Sequence, residues 1–281
     1  TRLVGSEMCI RDRDGKDEPK MAFTVHAVMP GVWHIVDCMG VCMTLLEGEN
    51  AAMLVDTGYG IEDVADFMRH MTDLPLTVFL THNHHDHAMG ARCFPETYML
   101  EADMADWRMF TNDEMRRRVL TQAIGKNLPV DEKTFLAGEI PLPKVMKPGV
   151  IDLGGLTAEI IEAPGHTPGS AVVYVPERKL LLSGDDWNPC TWLFFPQALG
   201  LREYRSNMRG IQQLPFEKVL CPHREALYDR WMFDDFFNAL TDGNLRAAEP
   251  VNIAPYEQID TCQATLPHDQ VLVFDWAKSG L

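Results

Sequence analysis

The sequence contains no apolar run approaching the roughly 18 residues that a membrane-spanning helix requires, so no membrane span is expected. It also lacks any Cys-x-x-Cys pair. Its 7 cysteines are odd in number and widely scattered, a pattern of reduced thiols in a cytoplasmic protein rather than of a disulfide frame. Basic residues are scarce: lysine and arginine total 25 against 41 aspartates and glutamates, a formal net charge of −16. Nucleic-acid binding depends on clustered basic side chains, so that partner is disfavoured. Residues 1–20 lack the apolar stretch of about 7 to 15 residues that an export signal needs, and they read as a disordered tail or a non-native extension ahead of Met21. No repeat or low-complexity tract is present.

What is present is an ordinary globular composition, 46% hydrophobic and 23% charged over 281 residues, enough for one large or two small domains. Short apolar runs at Val32–Asp37, Val41–Glu47 and Ala52–Asp56 are separated by glycine and asparagine turn signals and predict a strand meander. Ile61–Met71 carries apolar residues at helical spacing, and Leu76–Thr81 reads as a buried strand. A second cycle follows, with strands at Leu156–Ala163, Ala171–Val175, Lys179–Ser183 and Lys218–Cys221, and a helix presenting Leu201, Tyr204, Met208 and Ile211 on one face. The organisation expected is one α/β domain over residues 21–281, with residues 102–149 an insertion or lid and residues 225–281 a final helix and strand.

The strongest chemical signal follows the Leu76–Thr81 strand: Thr81-His82-Asn83-His84-His85-Asp86-His87. His82 and His84, two apart on an extended segment, can aim at one point, while Asp86 and His87 can serve a second. Imidazole and carboxylate together suit zinc, iron or manganese. Three further polar residues stand just past apolar strands beside Gly or Pro: His166 in Pro-Gly-His-Thr-Pro-Gly, Asp185 in Leu-Leu-Leu-Ser-Gly-Asp and His223 in Val-Leu-Cys-Pro-His. Such positions let side chains from separate strands share one cleft.

The ordered set His82, His84, Asp86, His87, His166, Asp185 and His223 resembles the signature of the metallo-β-lactamase superfamily, over about residues 21–276. The resemblance implies an αβ/βα four-layer sandwich of two mixed β-sheets with a two-metal cleft along one edge. It implies that His82, His84 and His166 hold one divalent ion, that Asp86, His87 and His223 hold a second, and that Asp185 bridges them. Asp56, in Val-Asp-Thr-Gly, matches a turn that buttresses the metal loop. Two such ions, zinc in first place with iron or manganese as alternatives, would ionise a shared water for hydrolysis, with Asp86 as ligand and orienting base; His85 occupies the variable position and points away.

Aspartate at 185, where true β-lactamases of the family carry cysteine or serine, turns the expectation toward the glyoxalase II-like and general metallo-hydrolase branch: a small-molecule ester, thioester or lactone as substrate. The basic residues that bind glutathione in glyoxalase II are not matched. The alternatives are an iron-dependent, persulfide-dioxygenase-like oxidoreductase and a metal-dependent phosphodiesterase. The aromatic-rich stretch after Asp185 suggests a substrate pocket drawn from Trp187, Asn188, Trp192 and Phe194, with Tyr59 contributing from beside the Asp56 turn and Phe195 and Tyr204 as further candidates.

Overall fold

The computed structural model describes residues 23–281; the expectations for residues 1–20 and for a domain start at Met21 lie outside them. The first sheet begins as an antiparallel meander of β1 (Thr24–Met29), β2 (Val32–Val36), β3 (Cys42–Glu47) and β4 (Ala52–Val55). It continues with parallel β5 (Leu76–Phe79), β6 (Tyr98–Met99) and β7 (Lys144–Val145). The remaining strands are β8 (Gly149–Asp152), β9 (Thr157–Glu162), β10 (Ala171–Val175), β11 (Leu180–Leu182), β12 (Cys190–Leu193), β13 (Lys218–Leu220), β14 (Tyr228–Asp229), β15 (Glu249–Pro250), β16 (Thr261–Leu266) and β17 (Gln270–Asp275). They divide into a second sheet, in the order β14-β13-β11-β10-β9-β8, and a small third sheet, β12-β17-β16-β15.

Period-two alternation assigns the two faces of each main sheet. Met53 and Val55 of β4 pack inward with Val173, Val175 and Leu182 of the second sheet, while Ala52 and Leu54 pack outward. The outer partners of Ala52 and Leu54 include Val64, Phe67 and Met68 of α1 (Val64–Met71), whose first turn is capped by the Asp63 carboxylate. On the far side, Val172 and Tyr174 of β10 pack with Tyr204 and Met208 of one helix (Leu201–Ile211) and with Phe233 and Phe236 of another (Arg230–Ala239). Helix, sheet, sheet, helix is the four-layer αβ/βα sandwich. Burial of these apolar faces is the main stabilising term, at about 25 cal/mol per Å² removed from water.

Two details depart from the sequence reading. The strands β12, β15 and β16 were not anticipated, nor was their pairing with the expected final strand, β17, into a third sheet; this sheet packs Cys262, Ala264 and Leu272 onto the outer helical core. The helix expected from Glu225 begins only at Arg230, because Tyr228–Asp229 pairs with β13. Within 102–149, the helical segments Trp107–Thr111, Asp113–Gly125 and Glu132–Phe135 share a core of Trp107, Val119, Leu120, Phe135 and Ile140 with Met89 and Leu80. The segment then rejoins the edge of the first sheet as β7. Among the described residues no helix is long and apolar enough to cross a membrane.

Candidate metal centre

The histidine cluster lies where β5 ends. Its first support is Asp56, immediately after β4, whose φ of +65° places a non-glycine residue in the left-handed region, a conformation that costs energy and that tertiary contacts must hold. The Asp56 carboxylate accepts the backbone N–H of Thr81 at 2.7 Å, the Thr81 hydroxyl at 2.9 Å and His87 Nδ1–H at 3.0 Å. His87 is thereby fixed with Nε2 facing the cleft. Gly90 closes the other end of the loop against Thr57, whose carbonyl would lie 2.1 Å from any added Cβ.

The other ligand-type residues arrive on separate segments. His166 Nδ1–H donates to the Trp192 carbonyl at 2.7 Å, leaving Nε2 2.8 Å from His84 Nδ1. Asp185 follows Gly184, whose φ of +50° turns the chain off β11, and its Oδ2 lies 3.0 Å from His223 Nε2, 3.5 Å from His87 Nε2 and 3.6 Å from His166 Nε2. His82, His84 and His166 present ligand atoms within 4.8 Å of one another; so do Asp86, His87 and His223, and so do His82, His87 and Asp185. The structure therefore brings all seven predicted residues into one cluster capable of holding metal.

The donor chemistry fits metal ions. His82 Nε2, His87 Nε2 and Asp185 Oδ1 are buried with no hydrogen-bond partner among the described residues, and such orphaned groups cost roughly 1 to 3 kcal/mol each. Burial, reinforced by neighbouring histidines, pushes the pKa values of His82 and His84 well below the usual imidazole value, which leaves their lone pairs free. Burial works against the charged forms of Asp86 and Asp185 too, but facing histidines outweigh it, holding Asp86 at about 2 and Asp185 well below its ordinary value. His87 and His223 are shifted up, because the facing carboxylates overcome their burial.

Three supports escaped the sequence reading. Asp103, buried, accepts Asn83 N–H at 3.1 Å and the Thr167 hydroxyl at 2.8 Å through Oδ2, and Gly169 N–H at 2.6 Å through Oδ1. It thus ties the His82–His87 loop to the His166 loop. In the structure it stands just past a short strand, β6, as His166, Asp185 and His223 stand past theirs, but a strand of two residues leaves no readable run in the sequence. Gln197, whose amide terminus lies 2.6 Å from His84 Nε2, sits in a loop with no comparable mark. His34 closes the frame with Nε2–H donating to the Arg224 carbonyl, beside His223, at 3.1 Å.

The cluster opens into a cavity of about 590 Å³. Tyr59, Asn188 and Trp192 line it, as does Phe195. Trp187 and Phe194 do not: both are fully buried in the core. The Trp187 ring packs edge-on against Tyr228 and its indole N–H donates to Gln270 at 3.2 Å, which turns it away from the cleft. Tyr204 likewise belongs to the core, its hydroxyl donating to the Asp186 carbonyl. The opposite wall comes from the 102–149 segment through Phe110, Met115, Arg118 and Val119. His85 belongs to none of the three ligand groups; it lines the cavity edge-on to Tyr59, with Nδ1 3.8 Å from the Asp86 carboxylate.

The family model of the metallo-beta-lactamase superfamily matches residues 36–223, which span all seven cluster residues. An acyl-coenzyme A thioesterase, MBLAC2, from Gallus gallus is 26% identical over 200 residues, covering 64% of this chain and 70% of that protein. A metallo-beta-lactamase from Pontibacter korlensis superposes with a TM-score of 0.55 at 18% identity, covering 77% of this chain and 97% of that one. A metallo-beta-lactamase family protein from Thermus thermophilus gives 0.54 at 19%, covering 79% and 82%. The sandwich agrees with the solved structures, and the family model covers well over half of the chain: the chain belongs to the metallo-beta-lactamase superfamily.

Proposed function

We propose that this chain is a binuclear metal-dependent hydrolase acting on a thioester or ester with an apolar acyl group. The observation that carries the reading is the set of orphaned, buried donor atoms on His82, His87 and Asp185, in the cluster whose Asp185, His84 and His166 line an aromatic-walled cavity. His82, His84 and His166 would hold one ion, Asp86, His87 and His223 the other, and Asp185 both, because its Oδ2 lies within 3.6 Å of histidines from each set. Zinc suits this donor set best, with iron or manganese as substitutes. Bound there, two divalent ions supply Lewis acidity and bring the ionisation of water near neutral pH.

The chain's own residues do the rest. Asp86, ionised above pH of about 2, accepts a hydrogen bond from the attacking water and aims it at the carbonyl, takes the water's proton as its oxygen adds to the carbonyl carbon, and passes that proton to the leaving sulfur or oxygen as its bond to the carbonyl breaks. Tyr59 and Asn188 offer polar contacts to the substrate, and burial keeps the Tyr59 phenol protonated. Phe110, Trp192 and Phe195 form apolar walls for the acyl part, and the 102–149 segment acts as the lid that carries Phe110. The likeness to an acyl-coenzyme A thioesterase supports a thioester over a lactone or β-lactam.

The test is metal analysis followed by a hydrolysis screen over acyl thioesters, lactones, phosphodiesters and a β-lactam. About two ions per chain and preferential thioester turnover are expected, and Asp185→Asn should weaken both ions together. One ion or fewer per fully active chain, or β-lactam turnover without thioester turnover, overturns the reading.

A further inference from the structure

Each metal-facing histidine with one ring nitrogen turned to the cluster has to satisfy the other nitrogen elsewhere. His87 uses Asp56, His166 uses the Trp192 carbonyl and His82 Nδ1–H uses the Thr81 hydroxyl at 3.0 Å. His84 is the exception in kind. Its Nδ1 is the atom turned toward His166, so Nε2 points outward, where the Gln197 amide meets it at 2.6 Å. The Gln197 atom placed there is the amide nitrogen; with the Nδ1 lone pair directed at a metal, Nε2 carries the proton, so the amide takes the flipped orientation in which its oxygen accepts that proton.

Gln197 lies on a loop without regular structure between β12 and the Leu201–Ile211 helix. The same loop presents Phe195, whose ring packs edge-on against His84 at 4.8 Å and His166 at 5.4 Å between centroids. What keeps this loop in place is Lys278, in the turn after β17. Its Nζ donates to the carbonyls of Pro196 at 2.6 Å, Ala198 at 3.0 Å and Phe195 at 3.3 Å. The Leu199 N–H adds a bond to the Gly165 carbonyl at 2.9 Å, beside His166. A cation over three converging carbonyls forms charge-assisted bonds, stronger than neutral ones.

We propose that Gln197 is a positioning residue for the metal-facing imidazole of His84 and that Lys278 holds Gln197 in register, so that the small third sheet supports the metal cleft. The inference rests on the two-metal reading of the cluster. Outer hydrogen bonds to metal-bound imidazoles fix tautomer and ring orientation, and their loss typically weakens metal binding by about 10- to 100-fold.

The experiment is zinc competition against a chromophoric chelator, read alongside the visible spectrum of the cobalt(II)-loaded protein. Gln197→Met keeps the volume but removes the acceptor: one of two zinc sites should weaken by about 10-fold or more, with an altered cobalt spectrum. Gln197→Glu keeps an acceptor and should bind as the wild type does. Lys278→Met should weaken the same site by a smaller factor, Lys278→Arg should restore it, and adding Lys278→Met to Gln197→Met should cost nothing further because the two act in series. Wild-type protein that binds no zinc sinks the two-metal reading and this inference with it. Wild-type protein that binds two ions while Gln197→Met binds them equally tightly sinks only the inference, and strict additivity of the double variant removes Lys278 from it. If Gln197→Met does not fold, Lys278→Met against Lys278→Arg decides alone, and equal affinity of the two overturns the proposal.

Discussion

The floor and the wall of the cleft are built in different ways. On the floor, His82, His84, His87 and His166 are nearly inaccessible to solvent, and each imidazole is fixed by a named acceptor or carbonyl. The wall is assembled from side chains of four distant segments that touch mainly through apolar packing, with Trp192 and Arg118 exposed at the rim. Hydrogen bonds are directional and packing is not. The floor can therefore hold reacting groups to a fraction of an ångström, while the wall tolerates exchange of one apolar side chain for another. The proposed function assigns chemistry to the first region and substrate selection to the second.

The sharpest way to break that division is Asp86→Asn, which keeps shape and removes charge. kcat should fall by about 10² to 10⁴, the scale of a lost acid/base contribution, with weaker occupancy of the second ion in elemental analysis. Near-wild-type turnover at full metal loading would require another orienting group and end this mechanism.

Asp103→Ala comes next, since it strands Asn83 N–H and Gly169 N–H in a buried site and leaves the Thr167 hydroxyl with Ser170 alone. Unfolding free energy should drop by about 3 kcal/mol, measured by urea denaturation of the metal-free protein. A change below about 0.5 kcal/mol would mean that the two loops are joined by something other than this carboxylate.

The frame around His223 is expected to be pH-sensitive. Burial lowers the pKa of His34 from 6.5 to about 4, so the folded protein resists a proton that the unfolded chain accepts. The stability owed to neutral His34 is fully present above pH 6.5 and is lost as pH falls toward 4. Buried Asp37 and Asp103, each raised to about 6, act oppositely, so the measurement is the difference between wild type and His34→Gln. That difference should change by about 2 to 3 kcal/mol between about pH 7 and pH 4; a constant difference would rule out His34 as its source.

The smallest effects belong to the wall. Phe110→Ala should raise KM for a long-chain acyl thioester by about 10-fold, the worth of a lost apolar contact, while leaving kcat and the KM of an acetyl thioester nearly unchanged. A large fall in kcat with every chain length would show that the wall takes part in the chemistry and would erase the distinction between the two regions.

The seven cluster residues and the strand meander were legible in the sequence because both are local signals. The continuous apolar runs of β4 and β10 mark strands buried on both faces before any partner is known, and His82 through His87 are positioned by the strand end from which they emerge. Glycine at 184 marked the turn that aims Asp185 for the same reason. Trp187 and Phe194 were misplaced because the direction of a side chain in an irregular segment has no period to reveal it; Tyr228 and Gln270, both distant in sequence, decided it for Trp187. The third sheet, the Asp103 bridge between loops and the contact of Gln197 with His84 are decided the same way. Each depends on segments that meet only when the two main sheets have packed, and a hydrogen bond between groups 113 residues apart, such as Gln197 and His84, is set by tertiary packing rather than by either local sequence.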